Sequence, residues 1–104
     1  MKLVSIIMTT YNSSPFLKES IMSIVSQTYK NWELLITDDF SSDNSVNIIK
    51  DIMKLDKRIF LFNLLVNSGA GVARNNSIKY SKGDYIAFCD SDDIWDCHKL
   101  EKHI

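Results

Sequence analysis

Seven of the ten aspartates in the sequence fall in two short windows. Asp38, Asp39 and Asp43 form one, Asp90, Asp92, Asp93 and Asp96 the other, and neither window holds a lysine or arginine. Carboxylates crowded in this way repel one another and raise each other's pKa unless a cation joins them. Donors that are all oxygen suit a hard divalent ion, Mg2+ or Mn2+, and not zinc. Asp90 and Asp92, which follow the apolar run Tyr85–Cys89, are the strongest ligand candidates. The competing use of any single Asp at a strand end is to cap the next helix and favour its dipole. Asp38-Asp39 can serve both ends: one carboxylate can cap a helix starting at Ser45 while the other accepts N–H bonds from a ligand. A uracil-like ring with an imide N–H would suit the second role.

Other candidates are set around these carboxylates. Tyr11 can stack on such a ring or pack at the end of a sheet. Arg74 is one of only two arginines, and its guanidinium can reach a pyrophosphate, pair with an Asp, or face solvent. The run Gly69-Ala70-Gly71-Val72-Ala73-Arg74 imitates a dinucleotide fingerprint. It lacks the third glycine and follows a third strand instead of opening the first unit, so its glycines read as a tight loop entering a helix. Cys97-His98 and His103 lack zinc-ligand spacing. The sequence contains no P-loop, nucleophile elbow or Ser/His/Asp arrangement.

These residues need elements to hold them. Leu3–Thr9 is a Val- and Ile-rich run that predicts a buried strand, ending at Thr9-Thr10-Tyr11-Asn12. Ser13 or Ser14 can cap a helix with Pro15 in its first turn, and Leu17, Ile21, Ile24, Val25 and Thr28 recur at helical spacing with Lys18 and Glu19 outside. The rhythm repeats as strand Trp32–Thr37 and helix Ser45–Leu55, with Val46, Ile49, Ile52 and Met53 inward. It repeats again as strand Ile59–Val66, loop Asn67–Gly71 and helix Val72–Tyr80. A turn at Ser81–Asp84, a fourth strand Tyr85–Cys89 and a helix from Asp96 onward complete the chain. This alternation, with strands buried on both faces, implies an α/β fold with a mainly parallel sheet and right-handed crossovers. Ligands of such sheets sit outside the carboxyl ends of the strands, where all four predicted loops are polar and two are acidic.

Composition narrows the class. A chain of 104 residues should bury somewhat over ~60% of its unfolded surface, which implies one domain over residues 1–104. With 12 basic and 13 acidic side chains its net charge is −1, which gives no support to nucleic-acid binding or a polybasic membrane anchor. The apolar runs Leu3–Met8 and Ile59–Val66 fall well short of the ~20 residues of a membrane span. Met1-Lys2-Leu3-Val4-Ser5 reads as a first strand and not a signal peptide. Cys89 and Cys97 are then expected to be reduced thiols of a cytoplasmic protein.

Taken together, the motifs resemble the nucleotide-sugar-binding half of family-two glycosyltransferases. Val4–Asn12 is similar to the family's opening strand and loop, and Ser23–Tyr29 with Trp32–Ile36 to its S-x-x-x-Q-T and W-E-hydrophobic stretch. Thr37–Asp43 is similar to its D-D-x-S-x-D segment, with Phe40 where a small residue is usual. Asn67-Ser68-Gly69 with Ala73-Arg74-Asn75 is similar to N-x-G…A-R-N, and Asp90–Trp95 to the D-x-D motif. The resemblance covers nearly the whole chain, and five motifs in order are specific.

The resemblance implies a GT-A fold, a Rossmann-like sheet with helices on both faces. It implies that Thr9 and Tyr11 line the nucleotide pocket, that Asp39 binds the base, commonly uracil, and that Arg74 lies near the base or diphosphate. Asp90 and Ser91 would bind the nucleotide, with Asp90 contacting ribose or metal, and Asp92 would be the principal ligand of Mn2+ or Mg2+. The donor would be a nucleoside-diphosphate sugar and the acceptor a carbohydrate or lipid-linked hydroxyl, with inversion at the anomeric carbon. The family's general base lies in the second half of its catalytic domain, so it is expected beyond Ile104. The 104 residues are then expected to be a fragment that binds donor without transferring sugar, with room for a dimer through the surface that the second half would cover. Many relatives build surface polysaccharides, which implies peripheral association with the inner membrane for a full-length protein.

Three other readings compete. A phosphatase-like aspartyl phosphotransferase would use Asp90 as nucleophile and Asp92 as acid, but needs a downstream Lys and a second acidic pair, and Ile94 departs from its motif. A receiver-type domain would carry its acidic pair after the first strand, where Thr9-Thr10-Tyr11 stands. A noncatalytic nucleotide-binding module on the same scaffold would share every feature of donor binding.

Overall fold

The computed structural model describes residues 1–104. Its elements alternate: β1 (Val4–Thr10), α1 (Ser14–Val25), β2 (Trp32–Asp38), α2 (Ser45–Met53), β3 (Ile59–Asn63), α3 (Ala70–Lys79), β4 (Tyr85–Phe88) and α4 (Lys99–His103). The four strands form one sheet in the order β3-β2-β1-β4, and every pairing is parallel. The chain thus runs outward from β1 to β3 and then crosses back to the far side of β1. Right-handed crossovers in opposite directions put their helices on opposite faces. α1 and α2 cover one face and α3 the other, and the direction reverses between β1 and β4. That reversal opens a crevice at the carboxyl ends of those two strands.

The strand alternation explains the core. Val4, Ile6 and Met8 of β1 and Trp32, Leu34 and Ile36 of β2 cluster with Leu17, Ile21 and Ile24 of α1 and Ile49 and Ile52 of α2. On the other face, the buried residues of α3 are only Ala73 and Ser77, small enough for close approach, and Ser77 Oγ lies 2.7 Å from Thr37 Oγ1. This accounts for the weak apolar periodicity of that helix. The turn before β4 is fixed from below. Ser5 Oγ donates to Glu33 Oε2 (2.6 Å), Lys82 N donates to the same oxygen (2.8 Å) and Gly83 N donates to Ser5 Oγ (2.8 Å). A Cβ on Gly83 would lie 2.5 Å from Ser5 Oγ and 2.6 Å from Ser5 N, so only glycine fits there.

Several expectations are corrected. The third strand stops at Asn63, because its pairing with β2 ends at Asp38↔Asn63; Leu64–Val66 leave the sheet, and Leu65 is 86% exposed. Burial on both faces holds for β1 and β2 but not for the edge strands, where Phe60, Tyr85, Ile86 and Phe88 are exposed. The second helix ends at Met53 instead of Leu55, and α3 begins at Ala70 instead of Val72. The last helix begins at Lys99 and not Asp96, since the Asp96 carboxylate accepts the His98 N–H in a local turn (3.0 Å). α1 ends at Val25, which leaves Thr28 exposed beyond it. Neither Ser13 nor Ser14 caps α1 through its side chain. No helix is long and apolar enough to cross a membrane.

Candidate functional site

Four loops meet at the carboxyl rim, and the first two are tied together. Asn12, at φ 49°, accepts on Oδ1 the N–H groups of Ser42 (2.9 Å) and Asp43 (3.3 Å), while its own N–H donates to Ser41 Oγ (2.9 Å). Asn tolerates the left-handed region; Phe40, at φ 64°, is bulky there and exposed. Asp43, and not Asp38 or Asp39, caps the helices. Its Oδ1 accepts Ser45 N of α2 (3.0 Å) and its Oδ2 accepts Ser14 N of α1 (3.1 Å). Desolvation against the two helix ends opposes ionisation, yet the hydrogen bonds from Ser45 and Ser14 outweigh it and lower the carboxyl to about 2. Asp38 turns back on its own loop, accepting Ser41 N (2.9 Å) and Ser41 Oγ (2.6 Å).

Asp39 is 4% exposed and has no basic partner. Its Oδ1 accepts Ser68 N (2.7 Å), and its Oδ2 accepts Gly69 N (2.9 Å) and Asn67 Nδ2 (3.2 Å). Asp39 lines a cleft of about 280 Å³ with Thr9, Thr10, Tyr11, Asn67, Gly69 and Ala70. Tyr11 is exposed there and free to stack. Thr10 Oγ1 is buried with no hydrogen-bond partner. The sequence signal for Asn67 and Gly69 was the polar, glycine-containing strand end; nothing in it named the carboxylate they hold.

A second cleft of about 280 Å³ is lined by Ile7, Thr9, Arg74, Phe88, Cys89 and Asp90. Thr9 borders both clefts, and this one lies at the β1/β4 crevice. The Arg74 guanidinium lies 5.8 Å from the Phe88 ring centre and forms no ion pair, so it does not neutralise a rim aspartate. Cys89 is buried, and its thiol is pushed up to about 12, chiefly by burial, with Asp93 and Asp90 adding to the rise against a Ser20 hydrogen bond. At neutral pH it is a thiol packed against the core.

One carboxylate oxygen from each of Asp90, Asp92 and Asp93 lies within 4.8 Å of the others, all three residues exposed. The main support within the loop is backbone: Asp93 N donates to Asp90 O (3.0 Å), and Asp90 N reaches Asp93 Oδ2 at 3.3 Å. Three carboxylates with no basic partner form a donor set that fits Mg2+ or Mn2+. Ser91 directs its Oγ to Ser13 Oγ (2.8 Å), which joins this loop to the start of α1. Asp96 stands outside the group; Glu101 is also apart, accepting Thr28 Oγ1 (2.7 Å).

Comparison with known proteins identifies relatives by sequence and by fold. The family described as "Glycosyl transferase family 2" matches residues 5–104. The Escherichia coli UDP-Glc:alpha-D-GlcNAc-diphosphoundecaprenol beta-1,3-glucosyltransferase WfgD is 50% identical over 102 residues, covering 98% of this chain and 40% of its own. S. aureus TarS 1-349 in complex with UDP superimposes with a TM-score of 0.91 at 30% identity, over 99% of this chain and 31% of that one. The mannosyltransferase PcManGT from Pyrobaculum calidifontis, in complex with GDP-Man and Mn2+, shares the fold with a TM-score of 0.88 at 22% identity, over 93% of this chain and 30% of that one. The chain spans about 40% of the length of the curated relatives it matches.

Proposed function

The chain belongs to glycosyl transferase family 2, and from that premise we propose that it binds the donor for a transferase that uses a UDP-sugar and a divalent metal. Family membership sets aside the aspartyl phosphotransferase and the receiver. The observation that carries the reading is the pair of clefts joined at Thr9, one holding Asp39 and Tyr11 and the other Arg74 and Asp90. One cleft suits a base and the next a ribose and diphosphate.

In this reading Asp39 accepts the imide N–H of uracil, Tyr11 stacks on the ring, Arg74 meets diphosphate charge, and Asp90 and Ser91 stand near the ribose. Asp92 and Asp90 hold Mn2+ or Mg2+, with Asp93 beside them. Bound there, the ion would stabilise the negative charge of the departing diphosphate. The acceptor hydroxyl attacks the anomeric carbon as the bond to the diphosphate oxygen breaks, which inverts the centre. Its proton passes to a general base, a role that neither Asp96 nor Glu101 fits, since they accept the His98 N–H and the Thr28 hydroxyl. A carbohydrate or lipid-linked acceptor is supported by the diphosphoundecaprenol substrate in the name of WfgD. The location proposed for the whole protein is the cytoplasm, peripheral to the inner membrane. Exposed Tyr85, Ile86 and Phe88 on the edge strand β4 support self-association of this chain or cover by further chain.

Calorimetric titration of UDP with and without Mn2+ tests donor binding. Metal-dependent binding is expected, and no binding in either condition would remove the reading. Sugar transfer by the full-length protein, with none by residues 1–104, separates it from a noncatalytic nucleotide-binding module.

A further inference from the structure

The carboxylate proposed to read the base is already held. Every side-chain hydrogen bond of Asp39 comes from one short loop, Asn67-Ser68-Gly69, and Asn67 Nδ2 also donates to Asp39 O (3.1 Å). Two successive N–H groups, those of Ser68 and Gly69, point at one carboxylate, and Gly69 then turns the chain into α3 at φ 95° and ψ 158°, a conformation that residues with a Cβ avoid. A buried carboxylate without a cation depends on such donors. Of the roughly four acceptor positions of a carboxylate, the loop fills two on Oδ2 and one on Oδ1. One position on Oδ1 remains, and it suits a single ring N–H. Uracil offers that donor; cytosine offers a lone pair at the corresponding ring nitrogen, which a fixed negative oxygen repels.

We infer that Asn67, with the Ser68 and Gly69 amides, is a positioning residue that fixes Asp39 and thereby sets nucleobase discrimination without contributing to diphosphate or metal binding. This rests on the donor-site reading above. Asn67 touches the base-reading carboxylate from the side of the loop, whereas Arg74 and, of the acidic cluster, Asp90 line the neighbouring cleft. Loss of its side chain removes one of the three hydrogen bonds that hold the Asp39 carboxylate, opens a second acceptor position, on Oδ2, where another donor of a base can bind, and leaves the neighbouring cleft as it was.

The test titrates UDP, CDP and pyrophosphate, each with Mn2+, into the wild-type chain and Asn67→Ala. The wild type should prefer UDP over CDP by about tenfold or more, and the variant should bring the two within about threefold while binding pyrophosphate as before. A variant that keeps the preference, or that loses pyrophosphate affinity to the same extent as UDP, overturns the inference. A wild type that binds neither UDP nor pyrophosphate overturns the donor-site reading itself, and the inference falls with it. Should Asn67→Ala fail to fold, amide spectra of the wild type decide. The Ser68 and Gly69 resonances should move with uridine monophosphate and stay still with pyrophosphate, and resonances indifferent to both would overturn the inference.

Discussion

The end of β2 with its loop groups three aspartates, and the loop after β4, where Asp96 stands apart, groups three more, yet the two groups are used in opposite ways. After β2 the carboxylates of Asp38, Asp39 and Asp43 are each held by N–H or O–H donors: Ser41 for the first, Asn67, Ser68 and Gly69 for the second, Ser14 and Ser45 for the third. After β4 one carboxylate oxygen from each of Asp90, Asp92 and Asp93 lies within 4.8 Å of the others, with a single long N–H contact at 3.3 Å among the three carboxylates. A carboxylate with its own donors organises the fold around it. Carboxylates that share one small volume with few donors and no basic partner repel one another, and a divalent ion placed among them would relieve that repulsion. Counting acidic residues does not separate the two cases; tracing their donors does.

The largest contrast is expected from one substitution in the second loop. Asp92→Asn should lower the Mn2+-dependent affinity for UDP by about 100-fold, measured by calorimetry, while the melting temperature without metal stays level or rises as like charges are removed. A drop in metal-free stability would mean that the loop after β4 is as architectural as the loop after β2. The next effect belongs to Asp39→Asn. An amide there must face at least one of the Ser68, Gly69 or Asn67 donors with an N–H of its own, so unfolding by urea should show a loss of about 1–3 kcal/mol. Asp43→Ala removes the cap of two helices and should cost about 1–2 kcal/mol by the same assay, with metal-dependent UDP binding retained.

Much of this was legible because the central elements leave strong signals. The Val/Ile/Leu runs of β1 and β2, Pro15 in the first turn of α1 and the apolar spacing of Leu17, Ile21 and Ile24 each state one element. The edges were less legible. Leu64-Leu65-Val66 continues an apolar run, and only the end of its partner strand shows that pairing stops at Asn63. The rim was readable as a rim, but the partners within it were not. A carboxylate at a strand end can cap, clamp or ligate, and the choice among Asp38, Asp39 and Asp43 depends on which helix ends and loops converge in space. Asp93 joined the acidic cluster for the same reason: a tight turn brings its carboxylate back over Asp90 N.

The smallest expected effect tests the donor side of the comparison through pH. The Asp43 carboxyl is lowered to about 2, below the ordinary Asp range of roughly 3.9, so its contribution to stability is complete above the unfolded value. It is lost as pH falls through the folded value, because the unfolded chain takes up the proton first. Asp43 is exposed, and solvent screening keeps this contribution modest. Urea midpoints measured from pH 5 down to about pH 2 should fall less steeply in Asp43→Asn than in the wild type. Identical slopes would mean that the Ser14 and Ser45 amides do not prefer the ionised carboxylate, and the line drawn between the two loops would lose its clearest member.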